Sequence, residues 1–109
     1  MEDQVLSTLR RVQGVSAAYV VDADGVRGAS ATGETAEAQG ALLAALAGAL
    51  GQAAGDLGLG DMGEFLVEAE GGAIMAGALP NGRVAVVITD ALGNLGLVRV
   101  ELRRLRHGA

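Results

Sequence analysis

The sequence predicts an α+β fold in which five strands form one antiparallel sheet with helices on both faces. Three observations predict it: apolar residues recur with helical period at both ends and in the middle of the chain, five short apolar segments lie between them, and turn residues join neighbouring segments as hairpins. The element order is therefore α-β-β-α-β-β-β-α. We expect the middle helix to cross one face of the sheet and the terminal helices to cover the other.

The first three elements form a helix followed by a hairpin. Residues 2–13 carry apolar side chains at helical spacing, and Gly14 is a natural stop for that helix. Residues 15–21 are mostly apolar and partly β-branched, which indicates a buried strand. Residues 22–25 read Asp-Ala-Asp-Gly, a composition typical of a turn. Residues 26–31 are then predicted as the second strand.

The middle helix is predicted over residues 34–57 and has two apolar faces. Each Gly in it costs up to ~1 kcal/mol relative to Ala, so the glycines need a compensating reason, and close approach of another backbone is one. Leucines mark the first face: Leu43, Leu46, Leu50 and Leu57. Small residues mark the second: Gly40, Ala44, Gly48, Gly51 and Gly55.

The second half of the chain predicts three strands and a closing helix. The strands are residues 64–70, 73–79 and 83–89, with hairpin turns between them. The continuous apolar run within the last of these strands predicts a central position covered on both faces. The closing helix spans about residues 92–106. The pattern contains no linker or internal repeat, so we expect one domain over residues 1–109.

Composition excludes several kinds of chemistry. The 109 residues have a net charge of −5, no Cys and no Lys, and the single His107 lies near the end of the chain. A disulfide framework, a thiolate nucleophile, a Walker A loop and a histidine triad are therefore excluded, and no cofactor or metal is expected. An acidic chain is also a poor ligand for nucleic acid or anionic membranes. The first residues lack signal-peptide features, which predicts a cytoplasmic protein.

Three motifs have a structural interpretation that outweighs the functional one. Residues 58–63 match G-x-G-x-x-G, but a helix precedes them and a strand follows, the reverse of a dinucleotide site, so we expect a connecting loop. Residues 38–55 are uncharged but rich in Ala and Gly, which favours a helix packed on two sides over insertion into a membrane. The arginines of the closing helix indicate a solvated face, with an anion-binding or acidic-partner surface as the alternative.

The third strand needs a neighbour. Phe65, the only Phe, lies on it beside Leu66 and Val67. An exposed edge strand with such residues would invite pairing. Either the strand is interior to the sheet, or another copy of the chain completes it.

Two stretches of the chain have a recognisable pattern. The entry into the first hairpin reads VQGV (12–15) and VVDADG (20–25). The last strand and the opening of the last helix read VAVVITD (84–90) and NLGLVR (94–99). Both stretches resemble the roadblock family, which is named for dynein light chains and in bacteria includes regulators of gliding motility and cell polarity. The resemblance covers nearly the whole chain and implies a profilin-like sandwich with a five-stranded sheet.

The resemblance also implies dimers, in which the third strand pairs with its counterpart and the middle helices lie side by side. Many family members bind or regulate Ras-like small GTPases. We therefore expect a non-catalytic homodimeric module that regulates such a GTPase. The interface residues expected on the middle helix and third strand are Gly40, Leu43, Ala44, Ala47, Gly48, Gly51, Phe65 and Val67.

Two other functions stay open from the sequence. The first is a structural scaffold or light-chain-like adaptor that has no GTPase partner. The second is a small enzyme that uses the carboxylates of Glu64, Glu68 or Glu70, which share one strand face with Leu66. A solvated face explains these carboxylates more simply, because the sequence offers no evident nucleophile–base pair.

Overall fold

The computed structural model describes residues 2–30, 34–91 and 93–107. The helices and strands occur in the predicted order. They are α1 (Glu2–Arg10), β1 (Val15–Asp22), β2 (Gly25–Ala29), α2 (Glu34–Asp56), β3 (Glu64–Ala69), β4 (Gly72–Ala78), β5 (Val84–Asp90) and α3 (Leu95–Arg106), with a short 3-10 turn at Pro80–Gly82.

The five strands form one antiparallel sheet in the order β2-β1-β5-β4-β3. The strand β5 is central, as its continuous apolar run predicted. The strand β3 lies at one edge, where its only partner within the described chain is β4. The pairing of β3 with β4 is regular from Glu64 opposite Gly77 to Ala69 opposite Gly72.

The helices form two layers, one on each face of the sheet, which confirms the predicted architecture. α1 packs on β1 and β2, and α3 packs on β4 and against α1. The core under this layer consists of Leu6, Leu9, Val12, Val15, Ala18, Val20, Met75, Ala85, Val87, Val98 and Leu102. α2 lies on the opposite face, and the core beneath it consists of Ala17, Tyr19, Val21, Leu43, Ala47, Ala76 and Val86.

The helix ends differ from the sequence prediction for local reasons. α1 ends at Arg10 rather than residue 13, and the next residues form turns in which the Val12 N–H donates to Leu9 O and the Val15 N–H donates to Val12 O. α3 begins at Leu95, because the Asn94 side chain accepts a hydrogen bond from the Leu97 N–H as an N-cap. The predicted starting point at residue 92 and the predicted last residue of β2, residue 31, lie outside the described residues.

Two contacts fix the helices on the sheet. The fully buried Tyr19 donates its hydroxyl hydrogen bond to Gln39 Oε1 at 2.7 Å, which joins β1 to α2; burial raises the pKa of this phenol. On the other face, a Cβ on Gly77 would lie only 3.1 Å from Leu102 Cβ, so the glycine lets α3 approach β4 closely. Because Gly77 lies opposite Glu64, α3 also comes close to the start of β3.

Candidate dimer interface

The α2 layer covers only part of its face of the sheet. α2 packs on β1 and β2, at one side of the sheet. On β5, β4 and β3, the side chains of Ile88, Ile74 and Phe65 are only partly buried at the margin of the core, and Val67 is 43% exposed. This face therefore leaves an apolar surface between α2 and the free edge of β3.

The outer surface of α2 is also apolar. Leu42 is 69% exposed, and Leu46 and Leu50 are partly exposed. At Gly48 and Gly51 a Cβ would meet nothing within 4 Å, so no part of the described chain occupies the space beside them. The side of α2 that carries Gly48 and Gly51 therefore has room for a second backbone to approach closely.

The free edge of β3 offers backbone groups to which another strand can bind. The Ala78 N–H donates to Gly63 O at 2.8 Å, which places residue 63 in a hydrogen-bonded pair with β4. Because hydrogen bonding alternates along an antiparallel strand, Phe65 and Val67 also direct their backbone groups toward β4. The even-numbered residues between 64 and 68 direct theirs outward, toward the edge where another strand can add.

The residues predicted for the interface fall into two groups. Gly48, Gly51, Phe65 and Val67 lie on the α2 side of the sheet with surface left uncovered, and Ala44 is half-buried beside them. The other three contact the chain's own sheet. Leu43 and Ala47 are buried in the core beneath α2, and a Cβ on Gly40 would lie 2.6 Å from Val26 Cγ2.

Two apolar residues with exposed surface are absent from the predicted set: Ile74, at the margin of the core beneath α2, and Leu42, on the outer surface of the helix. Leu42 carried a signal in the sequence, because it lies beside the leucine face of the middle helix. The position of Ile74 on this surface is evident only from the pairing of β4 with β3, in which Ile74 lies opposite Val67. The sequence does not specify that register.

An open cleft of about 450 Å³ continues this surface at the second half of α2. Small residues of α2 form one wall, and the β1–β2 turn, the loop before β3 and the β4–β5 connection form the others. Its lining residues are Val21, Asp22, Ala23, Ala44, Ala47, Gly48, Gly51, Gln52, Asp61, Met62, Ala78, Leu79, Gly82, Arg83 and Val84. The charged residues of this lining are Asp22, Asp61 and Arg83.

The opposite face carries the strongest electrostatic cluster near β3. Arg103 of α3 donates to both carboxylate oxygens of Glu64, at 2.8 Å and 3.2 Å, and Arg99 Nε lies 3.5 Å from the same carboxylate. Arg106 lies against Gly63, where a Cβ would come 2.7 Å from its Nη1. The hydrogen bonds from Arg103 lower the pKa of Glu64, the charges of Arg99 and Arg106 add to this effect, and partial burial opposes it.

The remaining candidate groups from the sequence are the carboxylates of β3 and the glycine-rich loop before it. Glu64 and Glu68 lie on the α3 face of β3 with Leu66, whereas Glu70, which was predicted on the same strand, lies in the turn that follows it. Glu64 is engaged by arginines. Among the described residues, no group of three or more His, Asp or Glu side chains is arranged to hold a metal ion. Within the same residues, no helix combines the length and the apolar character that crossing a membrane requires. Residues 58–63 form the predicted helix-to-strand loop, with Gly58 and Gly60 at positive φ.

Comparison with known proteins identifies relatives by sequence. A family model described as the Roadblock/LC7 domain matches residues 1–89. The uncharacterised protein MJ0310 of Methanocaldococcus jannaschii is 34% identical over 106 residues, covering 95% of this chain and 92% of that protein.

Solved structures share the fold. A Roadblock/LC7 domain from Streptomyces avermitilis superposes with a TM-score of 0.81 at 21% identity, covering 97% of this chain and 92% of that one. MglB from Myxococcus xanthus gives a TM-score of 0.80 at 20% identity, covering 95% and 80%. A structure described as MglB with tetrameric arrangement gives 0.79 at 20% identity, covering 97% and 82%.

Proposed function

Because the chain belongs to the Roadblock/LC7 domain family, we propose that it is a non-catalytic homodimeric interaction module that binds and regulates a Ras-like small GTPase. One domain over residues 1–109 carries this function. Its site of action is the cytoplasm, where such GTPases bind GTP. The observation that carries the proposal is the uncovered apolar surface between α2 and the free edge of β3, which a second copy of the chain fits.

In the proposed dimer, β3 adds to β3 of a second copy and the two sheets become one. The two α2 helices then lie side by side on the same face, where Gly48 and Gly51 leave room for a close approach. The partly exposed Phe65, Val67 and Ile74 are covered in the process. The tetrameric arrangement described for MglB supports self-association as a property of this fold.

The paired α2 helices form the platform for the GTPase. Leu42 supplies exposed apolar area there, and α2 carries the exposed acids Glu37 and Asp56 but no Arg. We infer that the partner presents a surface that is apolar with basic residues around it. Regulation requires only that the platform bind one arrangement of the partner's switch loops more tightly than the other, since a ligand shifts an equilibrium through differential affinity.

A capture experiment tests the partner. Ras-like GTPases encoded in the same genome are loaded with GDP or with a non-hydrolysable GTP analogue and passed over the immobilised protein. We expect capture in one nucleotide state to exceed capture in the other. Absence of binding in both states contradicts the GTPase proposal and favours the scaffold or adaptor function.

A matched pair of variants locates the contact. Leu42→Asp places a charge on the exposed surface of α2, and Val100→Asp does the same on α3, where Val100 is 51% exposed. We expect Leu42→Asp to abolish GTPase capture and Val100→Asp to leave it intact. The reverse result would assign the partner to the α1/α3 layer instead.

A further inference from the structure

The charge around Glu64 is unbalanced within one chain. Three guanidinium groups, from Arg99, Arg103 and Arg106, act on this single carboxylate at the start of β3. Arg99 and Arg103 remain about half exposed, so both retain hydrogen-bond donors that face solvent. We call these three residues the arginine cluster. Together they carry two positive charges more than Glu64 compensates.

Two acids lie at the other end of β3: Glu68 on the strand and Glu70 in the turn that follows it. Glu68 and Glu70 are exposed and form no ion pair with any residue in the described part of the chain. Glu68 lies on the same face of β3 as Glu64, because successive side chains of a strand alternate between its two faces. Val67, between Leu66 and Glu68, faces the α2 side instead. The cations and Glu68 therefore share one face but lie at opposite ends of the strand, and Glu70 follows Glu68 in the turn to β4.

Pairing of β3 with its own copy brings these two features together. With both α2 helices on one face, residues directly opposite each other must share a face, so even positions lie opposite even positions. A register centred on Leu66 sets Leu66 against itself and Phe65 against the partner's Val67, which covers the exposed valine. Glu64 then lies opposite the partner's Glu68.

Like charges directly opposite each other destabilise a strand pair, so this register needs cations. We propose that the arginine cluster of each copy pairs with Glu68 and Glu70 of the other copy. These ion pairs fix the register in which the two β3 strands pair, and we call this strand-to-strand contact the seam. At each end of the seam, three guanidinium groups then meet three carboxylates: Glu64 of the same chain and the partner's Glu68 and Glu70. This inference rests on the proposed homodimer.

The position of α3 brings the arginine cluster within reach of the seam. Because Gly77 has no side chain, Leu102 packs closely against it. The next residue, Arg103, therefore lies within hydrogen-bonding distance of Glu64 on the edge strand. Arg106 lies against the residue immediately before the strand. In the register centred on residue 66, the partner's strand runs past Glu64 toward this same end of β3. All three arginines therefore lie beside the acids of the second copy.

Charge reversal tests the seam. We expect Glu68→Arg and Arg103→Glu each to raise the Kd of the homodimer roughly tenfold. Each substitution replaces a contact between opposite charges by one between like charges, and it does so at both symmetry-related ends of the seam. Mixing the two variants restores opposite charges across the seam. The mixed dimer is then expected to make up roughly nine-tenths of all dimers by native mass spectrometry, against about one half for a random mixture.

A control and a folding check accompany the mixture. Asp3→Arg changes the net charge as Glu68→Arg does, but Asp3 lies on α1, which packs on β1 and β2 at the other edge of the sheet from β3. We expect its mixture with Arg103→Glu to give no more heterodimer than the mixture of Arg103→Glu with the wild-type chain. Circular dichroism of each variant checks that the monomer fold is retained.

The outcomes separate this inference from the proposed function. If Glu68→Arg and the mixture behave as the control does while the wild-type chain is dimeric, the seam assignment is overturned and the homodimer stands. If the wild-type chain is a monomer at all accessible concentrations in analytical ultracentrifugation, both are overturned. Weaker variant homodimers together with excess heterodimer support the arginine cluster as the element that sets the register.

Discussion

At Gly40, in the first half of α2, a Cβ would come within 2.6 Å of Val26 Cγ2 and 3.4 Å of the Tyr19 ring. At Gly48, Gly51 and Gly55, in the second half, it would meet nothing within 4 Å. The same residue type in one helix therefore has two different surroundings. Gly40 is required by contacts within the chain, and the other three glycines are not.

Helix propensity makes this difference informative. A glycine in a helix interior costs about 0.5–1 kcal/mol relative to alanine. Close packing of β1 and β2 against Gly40 offsets that cost inside the chain. Nothing in the described chain offsets it in the second half of α2, which supports the proposal that the space there belongs to a second molecule.

The largest expected effect follows from filling that space. Gly48→Leu adds a side chain where the second α2 is proposed to lie, and overpacking costs about 1–3 kcal/mol at each of two symmetric sites. We expect the Kd of the homodimer to rise roughly a hundredfold. Sedimentation of the variant over a concentration series measures this, with Gly48→Ala as the matched smaller change. A Kd equal to that of the wild-type chain would mean that the side of α2 with Gly48 and Gly51 faces another partner.

The same substitution at Gly40 is expected to act on the fold instead. A leucine there collides with Val26 and the Tyr19 ring, so the free energy of unfolding should fall by about 1–3 kcal/mol. Chemical denaturation of both leucine variants, at concentrations where each is monomeric, separates folding from association. Equal free energies of unfolding for Gly40→Leu and Gly48→Leu would contradict the claim that the two halves of α2 have different surroundings.

The sequence predicted the sheet better than it predicted the orientation of α2. Turn residues and alternation placed every strand to within about two residues, because hairpins leave little freedom of register. Between residues 40 and 55 of α2 every residue except Gln52 is Ala, Leu or Gly, so no polar stripe indicates which side of the helix faces the sheet. In the sequence Gly40 and Gly48 belong to one set of small residues, whereas in the structure Gly40 lies with Leu43 and Ala47 on the buried side of the helix.

The arginine cluster shows a second limit of sequence reasoning. The sequence placed the arginines on one helix and the acids on a distant strand, and a solvated face explained both. Only the packing of Leu102 over Gly77 brings Arg103 to Glu64, 39 positions away in the chain. Such a pair depends on tertiary contact between elements and leaves no local pattern.

The smallest expected effect tests whether the open space extends to the last turn of α2. Gly55→Ala should raise the free energy of unfolding by about 0.5–1 kcal/mol and leave the Kd of the dimer unchanged, because alanine favours the helix and meets no neighbour. Gly58→Ala is the matched control: Gly58 has φ +75°, where alanine is strained, so that variant should be less stable. Thermal unfolding of both variants measures the contrast. A weaker dimer for Gly55→Ala would show instead that the second helix reaches the last turn, and the proposed contact along α2 would then be longer than Gly48 and Gly51 alone require.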